Sequence, residues 1–301
     1  MREWVVLSGK GGTGKTSVAA ALAYLAAQEL KLVLADADVD AANLELLLSP
    51  ERVEEHNFFA SQMAVVEAER CTGCGRCAEV CRFAAITPGL PCTVDALACE
   101  GCVACYYVCP QNAIRIEERL AGQWYCSESR VGALVHARLK PGRENSGKLV
   151  TQVKMAARLL AARQRADLLL VDGPPGIGCP VIAAASGAQL ALLVAEPTVS
   201  GQHDLGRMLD TVRHFRVPAV VCLNKADLSP RLAGQIEAFC AQEGTPLAGA
   251  IPFDEEVVRA AVERRPVTVG PCGPAATALT ELWQSLRTRY LERHPAEGDE
   301  I

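Results

Sequence analysis

The sequence has no apolar run approaching 18 residues, so no stretch of it reads as a membrane-spanning helix. It has no excess of one charge either: 30 Lys and Arg stand against 35 Asp and Glu, for a net charge of −5. Nucleic-acid binding needs a basic footprint, and none is present. No charged-then-apolar leader precedes the first strand-like stretch, Trp4 to Ser8, so the expectation is a cytoplasmic protein. Cysteine is plentiful: 14 residues, nine of them between Cys71 and Cys109. Crowded thiols without an export signal argue for metal and against a disulfide framework. With 301 residues, half of them apolar, the chain can build one large α/β core plus a small extra module.

Val5 to Leu7 is a short apolar strand. Gly9-Lys10-Gly11-Gly12-Thr13-Gly14-Lys15-Thr16-Ser17 follows as a glycine-rich loop, and Thr16 to Leu30 reads as an Ala- and Leu-rich helix. Gly9 to Thr16 fits G-x-x-x-x-G-K-S/T, the phosphate-binding loop. Its glycines let successive backbone N–H groups point at one anion, and the helix adds its positive end. Lys15 is placed to reach the β- and γ-phosphates and Thr16 to ligate Mg²⁺, so ATP or ADP with Mg²⁺ is the expected ligand.

Leu32–Ala35 is a continuous apolar run suited to a parallel sheet buried on both faces, and the stretches from Asp167 to Val171, Gln189 to Ala195 and Ala219 to Leu223 read as further strands. The fold class is therefore α/β, a mostly parallel sheet with helices on both faces. Asp36, Asp38 and Asp172 fall at or just after strand ends, where ligands bind in such sheets.

Two cysteine runs interrupt this pattern. They are Cys71-Thr-Gly-Cys74-Gly-Arg-Cys77-Ala-Glu-Val-Cys81 and Cys99-Glu-Gly-Cys102-Val-Ala-Cys105-Tyr-Tyr-Val-Cys109-Pro110. Both are C-x₂-C-x₂-C-x₃-C, the spacing of bacterial two-cluster ferredoxins, in which the fourth cysteine serves the other cluster. Cys71, Cys74, Cys77 and Cys109 are expected to hold one 4Fe–4S cluster. Cys99, Cys102, Cys105 and Cys81 are expected to hold the second. Zinc sites and disulfides are the alternatives. Arg82 stands where proline usually follows the first run; its positive charge is expected to raise a cluster potential. Cys92, outside the pattern, reads as a small buried hydrophobe.

Ile114–Ile116 is expected to pair with Ala64–Val66, as flanking strands of an α+β ferredoxin-like insert. The expected boundaries are 61–118 for the insert and 1–60 with 119–301 for the ATPase domain. Before the insert, the stretch after Pro50 reads as a polar connection. After it, Trp124 to Arg138 reads as strands, 139–148 as a turn-rich loop and Leu149 to Arg165 as a helix.

The loop K-G-G-x-G-K-T resembles the deviant Walker A loop of the MinD/ParA/nitrogenase-iron-protein class. Its early lysine, Lys10, is implied to cross to the nucleotide of a partner subunit, so an ATP-dependent homodimer, or a heterodimer with a related paralogue, is implied too. Asp36 to Asn43 is similar to that family's switch I: Asp38 would orient the attacking water and Asp36 would lie near Mg²⁺. Asp36 capping the next helix is the plainer reading. Asp172-Gly173-Pro174-Pro175-Gly176 looks like Walker B running into switch II, with Asp172 holding Mg²⁺ through water. Asn224-Lys225 resembles the adenine-reading pair, with Asn224 on the base, and Ile251-Pro252-Phe253-Asp254 the loop that covers it. Cys179 lies near the offset of a cluster-ligating cysteine in the nitrogenase iron protein. Cys126 is the one upstream partner outside the insert, and its surroundings do not match, so a buried structural Cys179 is the default.

As a whole the chain looks like MinD-superfamily ATPases that carry an inserted two-cluster ferredoxin domain. The resemblance implies an ATPase in which dimer switching gates electron transfer through two 4Fe–4S clusters to a redox partner. An ATP-dependent carrier or assembly factor for iron–sulfur or other metal clusters is the alternative. Related scaffolds hold a labile cluster with a C-terminal C-x-x-C, and here Cys240 and Cys272 are isolated. A third reading is a positioning ATPase with a structural ferredoxin module. The C-terminal region lacks the basic amphipathic helix that would bind a membrane surface.

Overall fold

The computed structural model describes residues 1–140 and 146–292. Strand β1 (Arg2–Ser8) leads through the glycine loop into α1 (Lys15–Ala26), and β2 (Leu32–Asp36) leads to α2 (Leu44–Leu48). The long strand β3 (Glu51–Val66) precedes α3 (Arg76–Glu79), the short strands β4 (Ile86–Thr87) and β5 (Thr93–Val94), and α4 (Ala104–Val108). Next come β6 (Ile114–Ser129), β7 (Gly132–Leu139), α5 (Ser146–Gln164), β8 (Leu168–Pro175) and α6 (Cys179–Ala185). Then follow β9 (Leu190–Ala195), α7 (Val199–His214), β10 (Ala219–Asn224), α8 (Pro230–Gln242), β11 (Leu247–Ile251), α9 (Glu255–Val262) and α10 (Pro274–Leu286).

Nine strands form one sheet in the order β11-β10-β9-β1-β8-β2-β7-β6-β3. From β11 to β7 every neighbouring pair is parallel. Parallel strands need crossovers, and the helices that supply them cover both faces, which is why β2 and β9 are buried at every position. Strand β1 sits between β8 and β9, so the connections from it and its neighbours diverge there, and the C-terminal ends of β1, β2 and β8 deliver the glycine loop, Asp36 and Asp172 to one crevice. Trp4 on β1 and Trp283 on α10 pack with ring centroids 6.1 Å apart in the core beneath.

The chain divides into two compact units. The first is Met1–His56, Trp124–Arg138 and Ser146–Ile301; the second is Asn57–Gln123 with the short segment starting at Leu139. The second unit is thus a few residues wider at each end than the expected insert. Its buried apolar cluster is small: Ala64, Cys77, Ile86, Cys92, Cys105 and Ile114. Half of those side chains are thiols, so packing alone gives this unit little stability.

The polar connection expected after Pro50 is instead strand β3. It lies at the sheet edge, with a neighbour on one side only. An edge strand tolerates charge on its open side, and Val53, Phe58 and Phe59 supply β-forming residues that polar neighbours masked, ahead of the expected strand Ala64–Val66. The expected loop over 139–148 falls largely on 141–145, and the polar tail from His294 onward also lies outside the described residues. Among the described residues no helix is long and apolar enough to cross a membrane.

Helix α2, just beyond the Asp36–Asn43 loop, is held by a buried polar group that the sequence did not advertise. Glu45 Oε2 lies 3.0 Å from His136 Nδ1 on β7, and His136 Nε2 lies 2.9 Å from Ser127 Oγ on β6. Arg138 Nε donates to Glu45 Oε1 at 3.1 Å. The adjacent His136, acting against burial and joined by Arg138, holds the Glu45 pKa down at about 2. A carboxyl lowered on folding stabilises above its unfolded pKa and loses that contribution as pH falls through its folded one. Here that window runs from pH 4.5 down to about 2. Glu45→Gln is therefore expected to lower urea stability at pH 7, with the deficit shrinking as pH falls below 4. Tryptophan fluorescence of the Trp4–Trp283 pair follows it, and a deficit independent of pH contradicts the assignment.

Candidate functional site

The glycine loop owes its shape to two left-handed residues, Gly12 at φ 81 and Gly14 at φ 88. Gly14 is also the N-cap of α1, and a Cβ there would lie 2.2 Å from Asn224 Nδ2. Around Gly11 and Gly12 the space a side chain would need is open. Thr13 is buried and its Oγ1 has no hydrogen-bond partner. Thr16 and Ser17 lie in the first turn of α1, with Thr16 Oγ1 3.3 Å from Lys15 Nζ.

Lys15 lies among three carboxylates. Its Nζ is 2.7 Å from Asp172 Oδ1 and 3.7 Å from Asp38 Oδ2, and Asp36 and Asp172 are direct neighbours across β2 and β8. Burial works against the Lys15 charge, but Asp172, Asp36 and Asp38 outweigh it and raise its pKa. Burial, with Asp172 beside it, pushes the Asp36 pKa well up; burial also raises Asp38, with Lys15 opposing. One ammonium facing three carboxylates is short of positive charge, and Asp172 Oδ2 is buried without a hydrogen-bond partner. A divalent cation held by Asp172 and the Thr16 hydroxyl fits that deficit. Asp36 also braces the loop that follows it. Its two oxygens accept from Asp38 N at 3.1 Å and from Leu44 N, the first residue of α2, at 3.0 Å. Asp36 therefore acts as the strut of the loop that carries Asp38, which is the capping role.

Lys10 is paired with Glu196 Oε1 at 2.6 Å and donates to Ser200 Oγ at 3.0 Å. Glu196 also binds Lys225 at 3.2 Å, and Lys225 donates to Gly12 O at 2.9 Å. Lys10 and Lys225 overcome burial to lower the Glu196 pKa. This acidic hub went unread in the sequence, although its place after an apolar strand is the same signal that marked Asp172. Asn224 donates its amide to Thr13 O at 2.7 Å, bracing the loop. Asp254 caps α9, accepting from Glu256 N at 2.9 Å and from Ala275 N at 3.2 Å, and Pro252 sits beside it in the same segment.

In the second unit two cavities stand out. Cys71, Cys74, Cys77 and Cys109 line one, and Cys81, Cys99, Cys102 and Cys105 line the other. Each run thus keeps three cysteines together and sends its fourth to the other cavity. Cys92 is buried as expected, yet it also lines the first cavity. The donor spacing discriminates between ligands. Thiolates on one zinc lie about 3.8 Å apart, from Zn–S bonds of about 2.3 Å in a tetrahedron. Among the described residues, the one group of three or more His, Cys, Asp or Glu donors mutually within 4.8 Å is Glu54, His56 and Cys126, so neither cysteine set is drawn in for a single ion. Cys179 is exposed at the start of α6, not buried; Cys240 is buried and its thiol is pushed up to about 11 by burial, while Cys272 is exposed.

Residues 4–267 match the CobQ/CobB/MinD/ParA nucleotide binding domain. The chain belongs to that family. The match spans the glycine loop, the acidic residues of β2 and β8, and Asn224. Among relatives of this MinD/ParA-type ATPase, an uncharacterized protein of Methanocaldococcus jannaschii is 34% identical over 74% of the chain and 78% of its own length. An iron-sulfur cluster carrier protein of Pyrococcus abyssi is 26% identical over 98% of the chain and 88% of its own length. The septum site-determining protein MinD complexed with Mg-ADP, from Pyrococcus horikoshii, superposes with a TM-score of 0.60 at 18% identity, covering 98% and 99% of the two chains. That likeness establishes the MinD-like α/β fold, and the family's fold supports nucleotide binding and hydrolysis.

Proposed function

We propose that the chain is an ATP-hydrolysing iron–sulfur protein that carries clusters to an acceptor, with the nucleotide state setting when they are released. The observation that carries this is the pairing of a Lys15–Asp172 phosphate-loop centre with two four-cysteine cavities in one chain. The name of the Pyrococcus abyssi relative, similar over nearly the whole chain, supports a carrier over the electron-transfer reading. In this reading Lys15 neutralises phosphate charge, Thr16 and Asp172 hold Mg²⁺, and Asp38 orients the attacking water. Two copies close on ATP, each freeing Lys10 from Glu196 to reach the other's nucleotide.

A second reading, ATP-gated electron transfer, is favoured by one observation. Each cavity has a full set of four thiols, which suits resident clusters better than labile cargo. One assay separates the two. Protein loaded with ⁵⁵Fe is mixed anaerobically with an apo-ferredoxin, with ADP or with ATP. A carrier transfers iron, faster in one nucleotide state. Iron that stays put in both states, with cluster potentials that move with nucleotide, overturns the carrier reading for the redox one. Iron and potentials that both ignore nucleotide overturn both.

A further inference from the structure

The Glu54–His56–Cys126 group belongs to none of the machinery above. Glu54 and His56 are two apart on β3 and Cys126 lies on the neighbouring β6, so strand periodicity puts all three on one face. A nitrogen, a sulfur and a carboxylate oxygen from the three lie within 4.8 Å of one another. His56 Nε2 is 3.2 Å from Glu54 Oε2, and the imidazole stacks on Trp124 at 4.0 Å between centroids with planes 14° apart, which fixes its orientation. Glu54 is exposed, while His56 and Cys126 are half-buried, so the group opens to solvent on one side.

We propose that Glu54, His56 and Cys126 form a zinc site with three protein ligands and a fourth position open to water. One imidazole, one thiolate and one carboxylate are a zinc donor set; magnesium and calcium prefer oxygen alone. The ion ties edge strand β3 to β6 just before the chain passes at 56–57 and 123–124 into the second unit. Glu54 supplies negative charge that offsets Arg163, the cation within electrostatic reach of Cys126. The site is independent of the eight cavity cysteines and of the proposed function.

The test titrates the anaerobic, iron-loaded protein with zinc chloride against a chromophoric chelator, and reads the bound ion by zinc-edge X-ray absorption. The expected result is one zinc per chain with a single sulfur at about 2.3 Å and nitrogen or oxygen at about 2.0 Å. His56→Ala and Cys126→Ser are each expected to weaken binding at least about tenfold with iron content unchanged. No zinc bound tighter than roughly 10 μM overturns the proposal. So does a bound zinc with several sulfurs, because the metal then sits on the cavity cysteines. Unchanged affinity in both variants overturns it too.

Discussion

Replacing Lys15 by Met is expected to cut ATP turnover by about a hundredfold to a thousandfold, the range seen when a preorganised charge donor is removed. The reason is visible around its Nζ, which bridges Asp172 at 2.7 Å and Asp38 at 3.7 Å. Without it the site holds three carboxylates and no cation. Breaking a buried pair by removing one partner costs about 3–5 kcal/mol. Part of that is recovered because Asp36, already raised by burial and by Asp172, takes a proton readily. The variant is therefore expected to be less stable to urea at pH 8 than at pH 6, the reverse of a carboxylate that gains a partner. Phosphate release and urea unfolding check the two halves separately. Turnover within a factor of two of wild type contradicts the placement of the phosphate site.

The second large effect concerns the crossed cysteines. Cys81→Ser is expected to lose about half of the bound iron, and the half it loses is the one lost by Cys99→Ser. Cys109→Ser pairs in the same way with Cys71→Ser. The double variant Cys81→Ser/Cys99→Ser then loses no more than either single one, because both act on one cavity, whereas Cys81→Ser/Cys71→Ser loses nearly all. Iron analysis with EPR of the reduced protein distinguishes these patterns. If Cys81 instead groups with Cys71, the crossing is wrong. Full iron removal is expected to unfold the second unit, since half of its small buried cluster is cysteine and ligand binding supplies the missing stability.

Much of this was legible in the sequence because its signals are local. A glycine loop between a strand and a helix, apolar runs ending in acids, and two in-register cysteine runs each carry their meaning within a few residues. The MinD-like α/β sheet follows from them. Less legible were features that form only when distant segments meet. The strand β3 hid behind its charges because an edge position relaxes the burial pattern. That Asp36 braces its loop shows only when Leu44 N, eight residues on, approaches it. Glu196 acquires its role from Lys10 and Lys225, 186 and 29 positions away in the chain, and Glu45 from His136, 91 away. The Glu54–His56–Cys126 group needs two strands to pair before it exists. Cys179 was expected inside and lies outside, because α6 turns its first residue away from the sheet while Val181, Ala184 and Ala185 fill the inner face.

In the proposed function nucleotide and clusters communicate. Coupling between binding sites is reciprocal: if nucleotide alters how the clusters are held, the clusters must alter nucleotide affinity by the same factor. The most direct measurement is the affinity for ADP and for a non-hydrolysable ATP analogue, by calorimetry under anaerobic conditions, with the iron–sulfur cargo loaded and after its release. The ratio of the two affinities is expected to change by about fivefold or more between loaded and released protein. Identical ratios in both states would mean that the two units work independently, and the proposed coupling fails.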